Sequence, residues 1–515
     1  MEGNTILKIV LICTILAGLF GQVVPVYAEN TTYQTPTGIY YEVRGDTIYM
    51  INVTSGEETP IHLFGVNWFG FETPNHVVHG LWKRNWEDML LQIKSLGFNA
   101  IRLPFCTESV KPGTQPIGID YSKNPDLRGL DSLQIMEKII KKAGDLGIFV
   151  LLDYHRIGCT HIEPLWYTED FSEEDFINTW IEVAKRFGKY WNVIGADLKN
   201  EPHSVTSPPA AYTDGTGATW GMGNPATDWN LAAERIGKAI LKVAPHWLIF
   251  VEGTQFTNPK TDSSYKWGYN AWWGGNLMAV KDYPVNLPRN KLVYSPHVYG
   301  PDVYNQPYFG PAKGFPDNLP DIWYHHFGYV KLELGYSVVI GEFGGKYGHG
   351  GDPRDVIWQN KLVDWMIENK FCDFFYWSWN PDSGDTGGIL QDDWTTIWED
   401  KYNNLKRLMD SCSKSSGSSL EVKVNDWGSG AEYDVTLNLD GQYDWTVKVK
   451  LAPGATVGSF WSANKQEGNG YVIFTPVSWN KGPTATFGFI VNGPQGDKVE
   501  EITLEINGQV IDIWT

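Results

Sequence analysis

Cysteine, positive charge and long apolar runs are all scarce in this chain, and each scarcity closes off a class of function. Five cysteines are spread over 515 residues with no close Cys-x-x-Cys pair, which disfavours a structural zinc site. Lys and Arg number 41 against 60 Asp and Glu, a formal net charge of −19. Such a surface repels nucleic-acid phosphates and anionic lipid, so neither is expected as a partner, whereas a neutral polymer is not repelled. The one marked apolar stretch, Ile9 to Phe20, is short for a bilayer span. It follows Lys8 and precedes Val26-Tyr27-Ala28, which ends in the small residue a signal peptidase needs. Residues 1–28 are therefore expected to be a signal peptide, with an uncleaved anchor as the alternative. The mature chain is expected to be secreted, extracellular and off the membrane.

Aromatic residues, in contrast, are plentiful, with 24 Trp and 26 Tyr. Some of these rings must be core, but flat apolar rings also suit the C–H faces of sugars. From about residue 63 to 412 short apolar runs alternate with amphipathic stretches. The expected strands are Leu63–Gly70, Asn99–Phe105, Phe149–His155, Val193–Asn200, Leu248–Gly253, Leu292–Tyr299, Val338–Phe343 and Phe374–Trp379. Each reads as a strand buried on both faces, and each is followed by helix-like sequence. Eight such units fit an α/β fold of the (β/α)8 TIM-barrel type. An open dinucleotide-binding sheet is disfavoured, because the first turn is Trp68-Phe69-Gly70-Phe71 and not a glycine-rich phosphate cradle. The loops Pro208–Asp228, Thr254–Gly275 and Pro301–Pro320 are long enough to build a cleft.

Residues 413–419 read as a flexible linker of Ser, Lys and Gly between a catalytic domain, 29–412, and a last domain, 420–515. Beyond the linker the apolar period changes to two, as in a small all-β sandwich. Once Cys13 is assigned to the signal, four cysteines remain, an even count in an exported chain. Cys106 and Cys159 follow consecutive predicted strands, so their loops are neighbours and a Cys106–Cys159 bond is expected. The second bond, Cys372–Cys412, would then tie the last strand to the last helix.

In a barrel, polar residues at the C-terminal strand ends face the active site. Here those ends carry Arg102, His155, Asn200-Glu201, His297 with Tyr299, Glu342 and Trp377. Glu201 and Glu342 would face each other across the barrel mouth, about 5 Å apart if a covalent glycosyl ester forms. Arg102 and Tyr299 would keep Glu342 ionised, as a nucleophile requires, while that charge raises Glu201 into the range of an acid. Asn200 is placed to bond a sugar 2-hydroxyl, His155 and His297 to orient hydroxyls and carboxylates, and Trp377 to stack on a ring. Two His and two Glu also permit a metal, which the neighbouring Arg102 opposes, so neither metal nor cofactor is expected.

The set Arg102, His155, Asn200, Glu201, His297, Tyr299, Glu342 and Trp377, with its Asn-Glu-Pro motif, resembles glycoside hydrolase family 5. That resemblance implies a retaining enzyme with Glu201 as acid/base and Glu342 as nucleophile. The run Trp379-Asn380-Pro381-Asp382-Ser383-Gly384 is similar to the cellulase branch, which implies an endo-β-1,4-glucanase. A β-mannanase, a xyloglucanase and a non-catalytic carbohydrate-binding protein are the alternatives. The last domain resembles carbohydrate-binding module family 2, on Phe460-Trp461-Ser462-Ala463-Asn464 and Thr486-Phe487-Gly488-Phe489. This implies an exposed strip of Trp427, Trp461 and Trp479 that binds insoluble polysaccharide. Glu432 and Asp434 nearby leave the choice between cellulose and chitin open, since chitin's acetamide N–H is a natural donor to a carboxylate. The partner expected is thus a polysaccharide, and the protein is expected to be a monomer.

Overall fold

The structure is a computed structural model and describes residues 34–261, 271–413, 418–439, 442–468, 470–494, 496, 498–506 and 509–514. The expected signal peptide 1–28 lies outside the described residues, as do 414–417 of the expected linker.

Three strands precede the barrel. β1 (Ile39–Arg44), β2 (Thr47–Asn52) and β3 (Glu57–Ile61) make an antiparallel sheet that the sequence analysis did not anticipate. Its Tyr41, Val43, Ile48 and Ile61 join Phe149, Leu248, Phe250 and Val293 in one apolar cluster. These partners lie at or near the N-terminal ends of barrel strands, so the sheet plugs that end of the barrel. The Tyr41 amide donates to the His246 carbonyl at 3.0 Å, and buried Lys291 donates to the Tyr41 carbonyl.

The barrel strands are β4 (Phe64–Asn67), β5 (Ala100–Cys106), β6 (Phe149–Arg156), β7 (Val193–Asp197), β8 (Leu248–Val251), β9 (Leu292–Tyr294), β10 (Ser337–Val338), β11 (Ile340–Phe343) and β12 (Phe374–Tyr376). All pair in parallel, in the order β10-β9-β8-β7-β6-β5-β4-β12-β11. β10 and β11 are two pieces of one seventh strand. β10 pairs with β9 and β11 with β12. Val339 donates its amide to Tyr294 at 2.9 Å and Ile340 donates to Asp373 at 3.0 Å, so the two neighbours reach opposite sides. The barrel therefore closes at Val339, and its eight strands form a (β/α)8 TIM barrel. Almost every residue in these strands is buried, which explains their continuous apolar character in the sequence.

Between strands run α1 (Trp86–Ser95), α2 (Ser132–Asp145), α3 (Glu173–Phe187), α4 (Trp229–Val243), α5 (Leu319–Trp323), α6 (Tyr329–Leu332), α7 (Arg354–Glu368) and α8 (Glu399–Ser413). Asp131 and Gln134 form a capping box on α2, and Ser172 with Asp175 forms one on α3, each satisfying the first free amides of its helix. A π turn, Tyr324–Gly328, joins α5 to α6. The expectation of a helix after every strand fails once: among the described residues no α-helix lies between Val251 and Leu292. Gly274, Gly275, Pro284 and Pro288 break any helical period there.

The C-terminal sheets share one core. A four-stranded sheet runs β13 (Ser419–Asp426), β14 (Gly430–Asn438), β19 (Thr484–Asn492) and β16 (Thr456–Trp461). A five-stranded sheet runs β17 (Ala463–Gly468), β18 (Tyr471–Pro476), β15 (Trp445–Leu451), β20 (Val499–Ile506) and β21 (Gln509–Trp514). Tyr433, Val435 and Phe489 of the first pack with Trp445, Phe474 and Leu504 of the second. Cys106 is bonded to Cys159 and Cys372 to Cys412, with Cα separations of 5.3 and 5.5 Å. No helix among the described residues is long and apolar enough to cross a membrane.

Candidate active site

The strand ends opposite the plug open into a cleft of about 830 Å³, walled by Phe69, Trp272, Trp273, Tyr304 and Trp377 around Glu201 and Glu342. Glu342 sits one residue before the end of β11, buried, with both oxygens engaged. Arg102 from β5 donates to one at 2.7 Å, and the Tyr299 hydroxyl donates to the other at 2.5 Å. His297 lies 3.4 Å from the same carboxylate. Burial alone would raise Glu342, but the positive charges of His297 and Arg102 overcome it and hold the carboxyl below its ordinary value.

Glu201 follows β7 with a left-handed backbone, φ +49°. Its carboxyl lies 3.0 Å from the His297 Nδ1. Burial, partly offset by His297 and reinforced by the Glu342 charge, pushes it up to about 7. One carboxyl oxygen of Glu201 lies within 4.8 Å of one of Glu342, with the His297 nitrogen at the same range from both. The two environments thus separate two chemically identical side chains, one toward the acid form and one toward the anion.

Arg102 is wholly buried and touches four acids. Its nitrogens lie 2.9 Å from Asp197, 3.1 Å from Asp153, 3.2 Å from Glu252 and 2.7 Å from Glu342. It also donates to the Asn67 Oδ1 and, at 3.0 Å, to the Asn200 Oδ1. That bond fixes the Asn200 amide and leaves its Nδ2 without a partner among the described residues. His155 is 2.6 Å from Asp153 and stacks beside Trp377, and burial pushes its imidazole well below the ordinary value. Trp377 lies parallel to Phe69 and donates to the Ser383 hydroxyl at 3.1 Å.

The structure thus gathers all eight barrel residues singled out in the sequence: His155, Glu201, Tyr299, Glu342 and Trp377 line the cleft, and Arg102, Asn200 and His297 lie buried behind them. It adds Glu252, Asp153, Asp197 and Asn67, which the sequence analysis missed. Glu252 directly follows β8, between Val251 and Gly253, with no motif to mark it. Asp197, Glu252 and His297 also bring donor atoms within 4.8 Å of one another, as do Glu201, His297 and Glu342. The Arg102 guanidinium already compensates Asp197, Glu252 and Glu342 at contact distance, and a further cation would meet its charge.

In the C-terminal sheets Trp427, Trp461 and Trp479 are 51%, 38% and 71% exposed. A Cβ at Gly488 would fall 2.1 Å from the Trp461 ring, so this ring rests on bare backbone. Glu432 and Asp434 project from the same side of β14, alternating with buried Ala431, Tyr433 and Val435. Asp434 is the register partner of Gly488, beside the Trp461 ring.

Two facing carboxyls of opposite protonation tendency, in an open cleft at the strand ends of a TIM barrel, define a glycoside-cleaving enzyme. The family model for Cellulase (glycosyl hydrolase family 5) matches residues 55–383, and the chain belongs to this family of glycoside hydrolases. The Cellulose binding domain model matches residues 416–511. Over 348 residues the chain is 49% identical to the major extracellular endoglucanase of Xanthomonas campestris pv. campestris, covering 68% of each protein. A solved hyperthermostable endocellulase, studied for the contribution of a disulfide bond to thermostability, is 99% identical. It covers 73% of this chain and 100% of its own, with a TM-score of 0.73. The chitin-binding domain of a Pyrococcus furiosus chitinase is 99% identical over 18% of this chain and 97% of its own, with a TM-score of 0.18.

Proposed function

We propose that this protein is a retaining endo-β-1,4-glucanase that cuts cellulose-like chains by double displacement. Glu342 attacks the anomeric carbon while Glu201 protonates the departing oxygen. Glu201 then takes a proton from water, which hydrolyses the glycosyl ester. The observation that carries this reading is the carboxyl separation, within 4.8 Å between oxygens. Retaining enzymes hold their pair about 5–5.5 Å apart, and inverting ones leave about 6.5–9.5 Å for a water. The unpartnered Asn200 amide nitrogen supports a role at the sugar 2-hydroxyl. Endoglucanase relatives and the open cleft support internal cutting of a glucan.

The C-terminal sheets hold the enzyme on insoluble polysaccharide through Trp427, Trp461 and Trp479. Asp434 beside the Trp461 ring, with Glu432 on the same face, favours chitin as a ligand in addition to cellulose. Secretion as a monomer after loss of residues 1–28 completes the reading.

Proton NMR of fresh cellopentaose hydrolysate tests the mechanism: the β-anomer is expected first, and α-anomer first would overturn it. Reducing-end release from carboxymethylcellulose is expected to exceed that from galactomannan. Pull-down of the full chain on chitin and on cellulose particles tests the C-terminal reading.

A further inference from the structure

Glu252 has no place in the two-carboxyl chemistry, yet its carboxylate touches more of the site than any other wholly buried acid there. It directly follows β8. One oxygen accepts the Glu201 backbone amide at 2.7 Å. The other lies 3.1 Å from the His297 Nε2 and 3.2 Å from Arg102. His297 in turn presents Nδ1 to the Glu201 carboxyl at 3.0 Å. The result is a ring: Glu252 grips the backbone of Glu201 directly and its carboxyl through one imidazole.

Two features show that the chain makes room for this grip. Glu201 adopts φ +49°, a region that L residues rarely occupy without being held there. Gly274, at φ +68°, packs so closely that a Cβ would fall 2.3 Å from the Glu252 carboxylate and 3.3 Å from the Glu201 Cα. Any other residue at 274 would displace the carboxylate. Behind His297, the Glu252 carboxylate 3.1 Å from Nε2 favours the positively charged imidazole, whose Nδ1 lies 3.0 Å from the Glu201 carboxyl.

We propose that Glu252 is the positioning residue for acid/base catalysis, fixing both the backbone turn of Glu201 and the orientation of His297 against its carboxyl. This rests on the reading of Glu201 as the acid/base. Substrates that need a proton on the leaving oxygen should therefore depend on Glu252, and substrates with an acidic phenol as leaving group should not.

The test compares Glu252→Gln, Glu252→Asp and Glu201→Gln in the full chain, on cellotetraose and on 2,4-dinitrophenyl cellobioside. Gln keeps the shape and removes the charge; Asp keeps the charge and withdraws it by one methylene. For both Glu252 variants we expect kcat on cellotetraose to fall about 10- to 100-fold, since misplacing a catalytic group by about 1 Å can cost about 100-fold. KM should stay within about threefold, and the pH profile of kcat/KM should shift on the limb set by the acid. On the dinitrophenyl substrate the bond-cleavage step, read as kcat/KM, should change less than about threefold. A merely structural role would depress both substrates alike, and that outcome in both Glu252 variants overturns the proposal. Glu201→Gln is the control. If it shows the leaving-group dependence and the Glu252 variants do not, the positioning role fails alone. If it does not, the acid/base reading fails first. Should Glu252→Gln not fold, as judged by near-UV circular dichroism, Glu252→Asp decides.

Discussion

In the cleft, Arg102, His297 and Tyr299 are buried and each lies within hydrogen-bonding reach of a carboxyl, so every group depends on its neighbours. On the C-terminal sheets Trp427, Trp461 and Trp479 are exposed rings, and at least one rests on a glycine backbone. The first arrangement is a network, in which removal of one member leaves others charged and unpaired. The second is a set of separate platforms, whose contributions add. Under the proposed function, one region should therefore fail abruptly on single substitution and the other gradually.

The sharpest way to break this contrast is at Glu342. Glu342→Ala is expected to lower turnover of soluble cellodextrins by about 10⁴-fold or more, as loss of a nucleophile does elsewhere. Substantial turnover surviving in that variant would remove Glu342 from its role. Glu201→Gln should lose about 10²–10⁴-fold on the same substrates.

On the sheets, Trp461→Ala or Trp479→Ala should weaken retention on chitin or cellulose particles by only about 2- to 10-fold each. A double variant should multiply the two losses, and soluble cellodextrin turnover should not change. A single ring that abolishes retention would show that the platforms are coupled after all.

The smallest effect separates the two regions by pH. Asp197, Glu201, Glu252 and Asp355 are each pushed up to about 7, first of all by burial, and all lie in the barrel. On the C-terminal sheets Asp426 is held below its ordinary value instead, by its bond to Lys498. A carboxyl raised in the folded state holds a proton that the unfolded chain releases at 3.8 or 4.5. Its contribution to stability is complete below about 4 and is lost as pH climbs through about 7. Calorimetry should show the barrel transition falling between pH 5 and pH 8, a window in which the lowered Asp426 of the sheets adds no such fall. Asp355 faces Asp302 and Lys401, outside the cleft. Asp355→Asn should recover on the order of 2 °C at pH 8 and less at pH 5.

What the sequence disclosed and what it hid divide along physical lines. The barrel strands were legible because burial on both faces leaves an unbroken apolar run, and the helices because their apolar faces repeat. The edge strands Thr456–Trp461 and Ala463–Gly468 were not anticipated: their side chains are mostly exposed, so polar and apolar residues do not alternate. The plug was readable and went unread; Gly45-Asp46 between Ile39–Arg44 and Thr47–Asn52 is an ordinary hairpin signal. Glu252 is a different case. A lone Glu between Val251 and Gly253 has no flanking motif, and its role exists only through contacts with residues 45 to 150 positions away. Asp153 and Asp197 were hidden in the same way, as acids inside apolar strands whose partner, Arg102, lies on another strand.

The change of partner at Val339 has a bearing on durability. Glu342 rides on the piece held by β12, whereas His297 and Tyr299 follow β9, and the two sides are stitched by backbone bonds from Gly341 to Pro296 and from Val298 to Glu342. A slackening of those stitches would part Glu342 from His297 and Tyr299 while the remaining strands stayed shut. Heat inactivation would then set in below the calorimetric melt, and the gap between the two temperatures would measure the strength of a single seam.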